Sequence, residues 1–118
     1  MNIRFAFLAG VAPLVVVTAA HAHPSLVDSV PKAGAAVAAL PSDVRLVFNE
    51  PLEASFSTLE VVDAGGKRVS DGRGRIDAAH PEAIAVRASG GSGAYRVRWS
   101  VVGRDGHRVS GEIGFTVR

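Results

Sequence analysis

Histidine and aspartate are the residues of this sequence whose types and spacing could do chemistry, and metal binding is the chemistry that they favour. The four histidines are His21, His23, His80 and His107, and Asp105 stands two residues before the last of them. Imidazole nitrogens and carboxylate oxygens bind divalent ions when the fold brings them together. The sequence contains no cysteine, which excludes thiolate metal sites and cysteine nucleophiles.

His23 would become the first residue of the protein if the chain were cleaved after Ala22. A free α-amine and the Nδ1 atom of the same histidine can close a six-membered chelate ring on one metal ion. The amine titrates near about 8, so an ion with high affinity for nitrogen can displace its proton at neutral pH, and copper(II) is favoured most. The nitrogen of Pro24 carries no hydrogen, so copper cannot recruit that amide and further ligands must come from the fold.

The motif Asp105-Gly106-His107 could supply those ligands. On an extended segment, side chains two residues apart point to the same side, so the carboxylate and the imidazole would project together. Asp-Gly between two apolar runs is equally typical of a hairpin turn, and the glycine is compatible with both interpretations.

Two further residues have side chains that could contribute to a metal site. Glu50 follows a predicted strand in Phe48-Asn49-Glu50-Pro51 and is either an exposed acid or a ligand or acceptor near the same metal. His80 precedes Pro81 in a polar loop and is interpreted as a solvated loop residue.

The first 22 residues differ in character from the rest of the chain. Arg4 is their one charged residue, and an apolar run over residues 5–20 ends at Ala20-His21-Ala22, a small-x-small cleavage site. The run is shorter than the roughly 20 residues that span a bilayer. We therefore expect a cleaved signal peptide over residues 1–22, an exported domain over residues 23–118 and no membrane insertion of the mature chain.

Cleavage after Ala20 remains an alternative, because Thr18-Ala19-Ala20 is also a run of small residues. That product would begin His21-Ala22-His23. Such a terminus binds copper(II) through its amine, two deprotonated amides and the third imidazole, without help from the fold.

Charge gives little information about partners. The chain of 118 residues carries a formal charge of +2, and loss of Arg4 leaves twelve basic residues against eleven acidic ones. The basic residues are not interleaved with aromatic ones, so no nucleic-acid partner is expected. Without disulfides, a domain of this size must be held by its core, or by its core and a ligand.

Short alternating segments separated by Gly, Pro, Asp and Ser clusters indicate an all-β fold. About seven strands without helical crossovers predict an immunoglobulin-like Greek-key β-sandwich or barrel. The only tryptophan, Trp99, is predicted to anchor the core, and one helical turn is allowed within residues 30–40. The predicted strands are residues 26–30, 44–48, 59–63, 75–77, 84–88, 95–101 and 113–117.

In this order the motifs resemble the CopC-type periplasmic copper-binding (copper resistance) proteins. The resemblance covers residues 23–118. The residues that carry it are His23-Pro24-Ser25-Leu26, Phe48-Asn49-Glu50-Pro51, residues 95–102, Asp105-Gly106-His107 and residues 111–115.

The resemblance implies one copper(II) ion per mature chain, bound by the amine and imidazole of His23 together with Asp105 and His107, with Glu50 as a nearby acid. It implies a periplasmic copper carrier or buffer, not an enzyme, whose usual partner is an inner-membrane CopD-type copper transporter. Some members also hold copper(I) in a methionine-rich loop, which is expected to be absent here because Met1 is the only methionine.

Two other functions stay open from the sequence. One is a small copper monooxygenase, because polysaccharide oxygenases also hold their metal with a terminal histidine brace. Those enzymes need open metal positions and a flat substrate face, and a chain with one Trp and one Tyr offers little such surface. The other is a structural β-sandwich module without a metal.

Overall fold

The computed structural model describes Gly10 and residues 23–118, so the predicted signal peptide, His21 included, lies outside the described residues apart from Gly10. Residues 23–118 form eight strands and one 3₁₀ turn, Ala54–Phe56. The strands are β1 (Leu26–Val30), β2 (Ala36–Val37), β3 (Asp43–Phe48), β4 (Thr58–Asp63), β5 (Ser70–Arg75), β6 (Ala83–Ala88), β7 (Gly93–Val102) and β8 (Arg108–Val117). The described part of the chain contains no helix with the length and apolar character to cross a bilayer.

The strands lie in two four-stranded sheets, with the orders β1-β3-β6-β5 and β2-β8-β7-β4. Only the hairpins β5–β6 and β7–β8 keep consecutive strands in one sheet, and every other connection crosses to the opposite sheet. This is the connectivity of a Greek-key sandwich, and it confirms the predicted fold class. The eighth strand, β2, pairs in parallel with β8 over two residues, a pairing that the sequence analysis did not foresee.

The core is built by strands in which every second side chain is apolar and buried. Val44, Leu46 and Phe48 of β3 are buried on one face, while Arg45 between them is exposed. Strands β7 and β8 pair over their full ten residues and alternate in the same way. The remaining members of the buried cluster are Leu52, Leu59, Val61, Ile84, Val86, Tyr95, Val97, Val101, Phe115 and Val117.

Trp99 lies at the margin of this core. Its ring packs edge-on against Phe48, with centroids 6.1 Å apart, and remains partly exposed. It is therefore a core contact, as predicted, but not a fully buried one. Gly111 pairs with it across the β7–β8 ladder and leaves space for the indole.

The predicted strand 75–77 is wrong, because the strand there is β5, Ser70–Arg75. Gly72 and Gly74 adopt positive φ values of 71° and 90°, so this strand is irregular and its sequence is typical of a turn. Residues 30–40 contain no helical turn; they hold β2 instead.

Replacing Gly111 by alanine should destabilise the metal-free protein by about 1–3 kcal/mol, the usual range for overpacking. An added Cβ would collide with the indole of Trp99, whose Cε2 would lie 2.8 Å away. Gly114→Ala in the same strand is the control, because its Cβ meets only Tyr95 O at 3.6 Å. The control should be neutral or slightly stabilising. Urea unfolding of both variants measures the difference, and equal midpoints would contradict the packing described.

Candidate metal centre

The segment that carries His23 is attached to the end of β3 by two reciprocal hydrogen bonds. The backbone N–H of Ser25 donates to Asn49 Oδ1 at 2.8 Å, and the backbone N–H of Asn49 donates to Ser25 O at 2.9 Å. Pro24 is buried beside them. Asn49 was not predicted to be a positioning residue. The signal in the sequence is an asparagine directly after a strand, where a short amide side chain can reach a neighbouring backbone N–H.

The loop between β7 and β8 carries the other two candidate ligands. It is a tight hairpin connection in which the N–H of Gly106 donates to Gly103 O at 3.0 Å and the N–H of Gly103 donates to His107 O at 3.2 Å. Gly106 has a φ of 83°, in the left-handed region that favours glycine. The turn interpretation of Asp105-Gly106-His107 is therefore confirmed.

The same turn also brings its two side chains together, although not through the alternation of an extended strand. Asp105 Oδ1 accepts the backbone N–H of His107 at 3.0 Å, which is a local Asx-type bond. The second oxygen, Oδ2, lies 2.8 Å from His107 Nδ1. One carboxylate thus holds both the backbone and the ring of the histidine.

His23 meets this pair from the other end of the described chain. Its Nδ1 lies 3.5 Å from Asp105 Oδ2, and its ring centroid is 4.8 Å from that of His107. One ligand atom from each of the three residues lies within 4.8 Å of the other two. Ligands bound to one ion at about 2.0 Å are about 2.8 to 4 Å apart, so this spacing is close to that of a coordination shell.

The centre is open to solvent. The side chains of His23 and His107 are 48% and 67% exposed, and that of Asp105 is 19% exposed. Two imidazoles and a carboxylate suit a nitrogen-preferring divalent ion, and their exposure lets an ion enter and leave without opening the fold. No other such group of three His, Asp or Glu side chains was found within residues 23–118.

The charge state of Asp105 also suits a metal ligand. The hydrogen bond with the His107 side chain lowers the pKa of Asp105 below its ordinary value of 3.8, and the backbone N–H of His107 lowers it further. Partial burial opposes this shift. The carboxylate is therefore ionised at neutral pH.

Glu50 lies behind the three residues rather than among them. Its Oε1 is buried and accepts no hydrogen bond from the described residues. A Cβ built on Gly103 would collide with this oxygen and would come within 3.1 Å of the Pro24 ring. Gly103 thus leaves room for the Glu50 carboxylate against the hairpin loop.

His80 stays apart from this centre. It lies in the turn between β5 and β6, its side chain is 63% exposed, and its Nδ1 is 3.8 Å from Glu82 Oε1. The structure therefore places it as the solvated loop residue that the sequence indicated.

The amino-acid sequence is similar to a known protein family and to named relatives. The CopC domain family model matches residues 26–118. Copper resistance protein C of Escherichia coli is 36% identical over 121 residues, covering 96% of this chain and 95% of that protein. Copper transport protein CutJ of Bacillus subtilis (strain 168) is 33% identical over 98 residues; the match covers 81% of this chain, which spans only 18% of that longer protein.

Solved structures show the same fold. The crystal structure of CopC from Methylosinus trichosporium OB3b matches with a TM-score of 0.76 and 35% identity, over 80% of this chain and 93% of that one. PcoC, described as a methionine-rich copper resistance protein from Escherichia coli, matches with a TM-score of 0.71 and 31% identity, over 82% of this chain and 100% of that one.

Titration of the metal-free protein tests the Asp105–His107 contact. Because the pKa of Asp105 is lowered in the fold, the contact stabilises the protein above the ordinary pKa and is lost as pH falls through the lowered one. Carboxyl ¹³C shifts should place the Asp105 midpoint below 3.8, and His107→Ala should raise it. Asp28, whose pKa is lowered by Lys32 instead, serves as the internal control and should not respond. An Asp105 midpoint that is the same with and without His107 would contradict the geometry.

Proposed function

This chain belongs to the CopC family, and from that premise we propose that it is a periplasmic copper(II) carrier or buffer. The observation that carries the proposal is the convergence of His23, Asp105 and His107, two imidazoles and a carboxylate from opposite ends of the described chain. Relatives named for copper resistance and copper transport support the choice of metal.

The proposed ligand set is complete only when His23 is the first residue. Cleavage after Ala22 would add the α-amine to the three side-chain ligands, giving three nitrogens and one oxygen, which suit the tetragonal geometry of copper(II). Removal of residues 1–22 by export would produce this terminus. We therefore propose one copper(II) ion per mature chain.

Glu50 supports an amine at this position. A buried carboxylate oxygen without a hydrogen bond is costly, and Glu50 Oε1 lacks one among the described residues. The oxygen lies against Gly103, on the same side as the ring of Pro24. An amine one residue before Pro24 is a donor within the same region, so we assign Glu50 as an acceptor that positions the terminus rather than as a ligand.

The donor types support copper(II) as the bound oxidation state. Residues 23–118 contain neither Cys nor Met, the soft ligands that copper(I) prefers. An anionic Asp105 favours the more highly charged copper(II). These properties suit a protein that stores or delivers copper(II) and do not suit one that cycles between oxidation states.

The number of proposed copper ligands also favours a copper carrier over an oxygenase. An amine, two imidazoles and a carboxylate would supply four ligands to copper(II), as many as a tetragonal ion binds strongly, and would leave little room for oxygen. We therefore propose that the protein is not an enzyme and that it exchanges copper with an inner-membrane transporter of the CopD type. Oxygen consumption in the presence of ascorbate would favour the copper monooxygenase. The absence of tight copper binding would favour the structural module without a metal.

Asp105→Ala and His107→Ala should each weaken copper(II) binding by more than about a hundredfold, because loss of even an outer partner of a metal ligand costs about 10–100-fold. Protein beginning at His23 should be titrated against a copper(II) chelator of known affinity. His80→Ala is the matched control, since it removes an exposed imidazole outside the centre. Affinity should fall as the pH is lowered, because protons compete with copper(II) for nitrogen ligands. Parent-like titration of both variants would show that the Asp-x-His motif is not a ligand pair.

The dipeptide Ala-Pro added before His23 should cost at least as much affinity as loss of Asp105, because it removes the amine from the chelate ring and the added proline nitrogen has no hydrogen to lose in building a new chelate. The thermal transition of the metal-free protein should be unchanged, since the addition lies outside the sandwich. Ala-Pro added after Arg118 is the control. Mass spectrometry of the exported protein should give a chain that starts at His23; a chain starting at His21, or unchanged binding in the extended protein, would refute the terminal ligand.

A further inference from the structure

Two arginines from opposite sheets hold the 3₁₀ turn Ala54–Phe56. Arg73 of β5 donates from Nη2 to Ser55 O at 3.2 Å, and Arg108 of β8 donates from Nη1 to Phe56 O at 3.0 Å. Arg108 Nη1 also donates to Ser100 Oγ at 2.7 Å. Both guanidinium groups are thereby held in place beside Phe56, whose side chain the same turn leaves 59% exposed.

A cationic cleft opens next to this turn. It has a volume of about 370 Å³ and lies between β5 of one sheet and β4 and β7 of the other. Its charged lining is three arginines, Arg68, Arg73 and Arg98, against one acid, Glu60. Arg98 is also paired with Glu112 at 3.3 Å, outside the cleft lining. Positive charge therefore exceeds negative charge within the cleft.

The turn lies beside the hairpin loop that carries two of the candidate metal ligands. Arg108, which holds the turn, directly follows His107 in the chain. On the other side, the backbone N–H of Glu53, the residue before the turn, donates to Val102 O at 2.8 Å, where β7 enters the hairpin loop. A molecule seated on Phe56 would therefore approach the loop that carries Asp105 and His107.

We propose that Phe56 and the arginine cleft form a docking surface for an acidic segment of a protein partner. The guanidinium fork matches a carboxylate, and arginine with an exposed aromatic ring is the composition of protein interfaces. Arginines already held by Ser55 O and Phe56 O lose less side-chain entropy on binding. A peptide side chain can enter a cleft of this size, whereas a planar membrane surface cannot. This partner would donate or accept copper, an assignment that rests on the proposed function.

Binding is tested first without copper, by fluorescence anisotropy of labelled peptides. The probes are three peptides of equal length in which Leu alternates with Glu, Gln or Lys. The Glu peptide should bind the parent protein about tenfold more tightly than the Gln peptide, and high salt should reduce this difference. The Lys peptide should bind most weakly of the three. Arg73→Gln and Phe56→Ser should each weaken Glu-peptide binding by about two- to fivefold.

Arg87→Gln is the matched control, because it removes the same charge from exposed Arg87 of β6, outside the cleft. Equal losses in the Arg73 and Arg87 variants would mean that net charge alone acts, and would overturn the proposal. Sedimentation with phosphatidylglycerol vesicles tests the membrane alternative. Vesicle binding that requires Arg73, without any preference for the Glu peptide, would also overturn it.

Copper transfer tests the assignment of the partner. Acceptor peptides begin Gly-Gly-His, which binds copper(II), and end in the Glu-Leu or the Gln-Leu tail. The Glu tail should speed transfer from the loaded parent about tenfold, and Arg73→Gln should reduce that advantage while leaving copper affinity unchanged. Equal rates for both tails would refute a copper-exchanging partner. A parent that binds no copper would refute the proposed function alone, because the anisotropy result does not depend on the metal.

Discussion

The attachment of the His23 segment to β3 is the constraint on which the candidate metal centre depends. With residues 1–22 removed, as proposed, this segment would be terminal; a terminal segment normally frays unless it is tied down, and the chain has no cysteine to form a disulfide. The two hydrogen bonds between Ser25 and Asn49 and the burial of Pro24 provide the attachment. Because β1 pairs with β3 immediately afterwards, the sheet itself determines at which end of the sandwich His23 lies.

The hairpin loop meets that segment because β7 and β8 are long and fully paired. Their ladder places the loop at the same end of the sandwich, and the bridge between Leu52 and Gly103 ties it to the chain that follows β3. An ion bound by His23, Asp105 and His107 would join segments from the two sheets. It would act as a cross-link in a small domain that lacks disulfides, and bound ligand stabilises the folded state by mass action.

Charged side chains of both signs gather at this end of the molecule. Asp105 belongs to the candidate centre, where a divalent ion would compensate its charge, and Glu50 lies outside that group, against Gly103. Arg73 and Arg108 lie around the neighbouring turn, where backbone carbonyls orient them. The proposed cation site and the proposed surface for an acidic segment would then lie at one end of a single sandwich, as a protein that holds an ion and meets the molecule that exchanges it would require.

The amino-acid sequence by itself determined the fold class and the ligand candidates, because both depend on local signals. Period-two alternation identified β3, β7 and β8, and residue chemistry singled out His23, Asp105 and His107. It missed β5, where glycines imitate a turn, and the parallel pairing of β2 with β8. Only the tertiary structure showed why Asn49 and Gly103 matter and how Arg73 and Arg108 converge on the turn Ala54–Phe56. Those contacts join residues far apart in the chain, and their partners are set by strand pairing across two sheets, which no local pattern encodes.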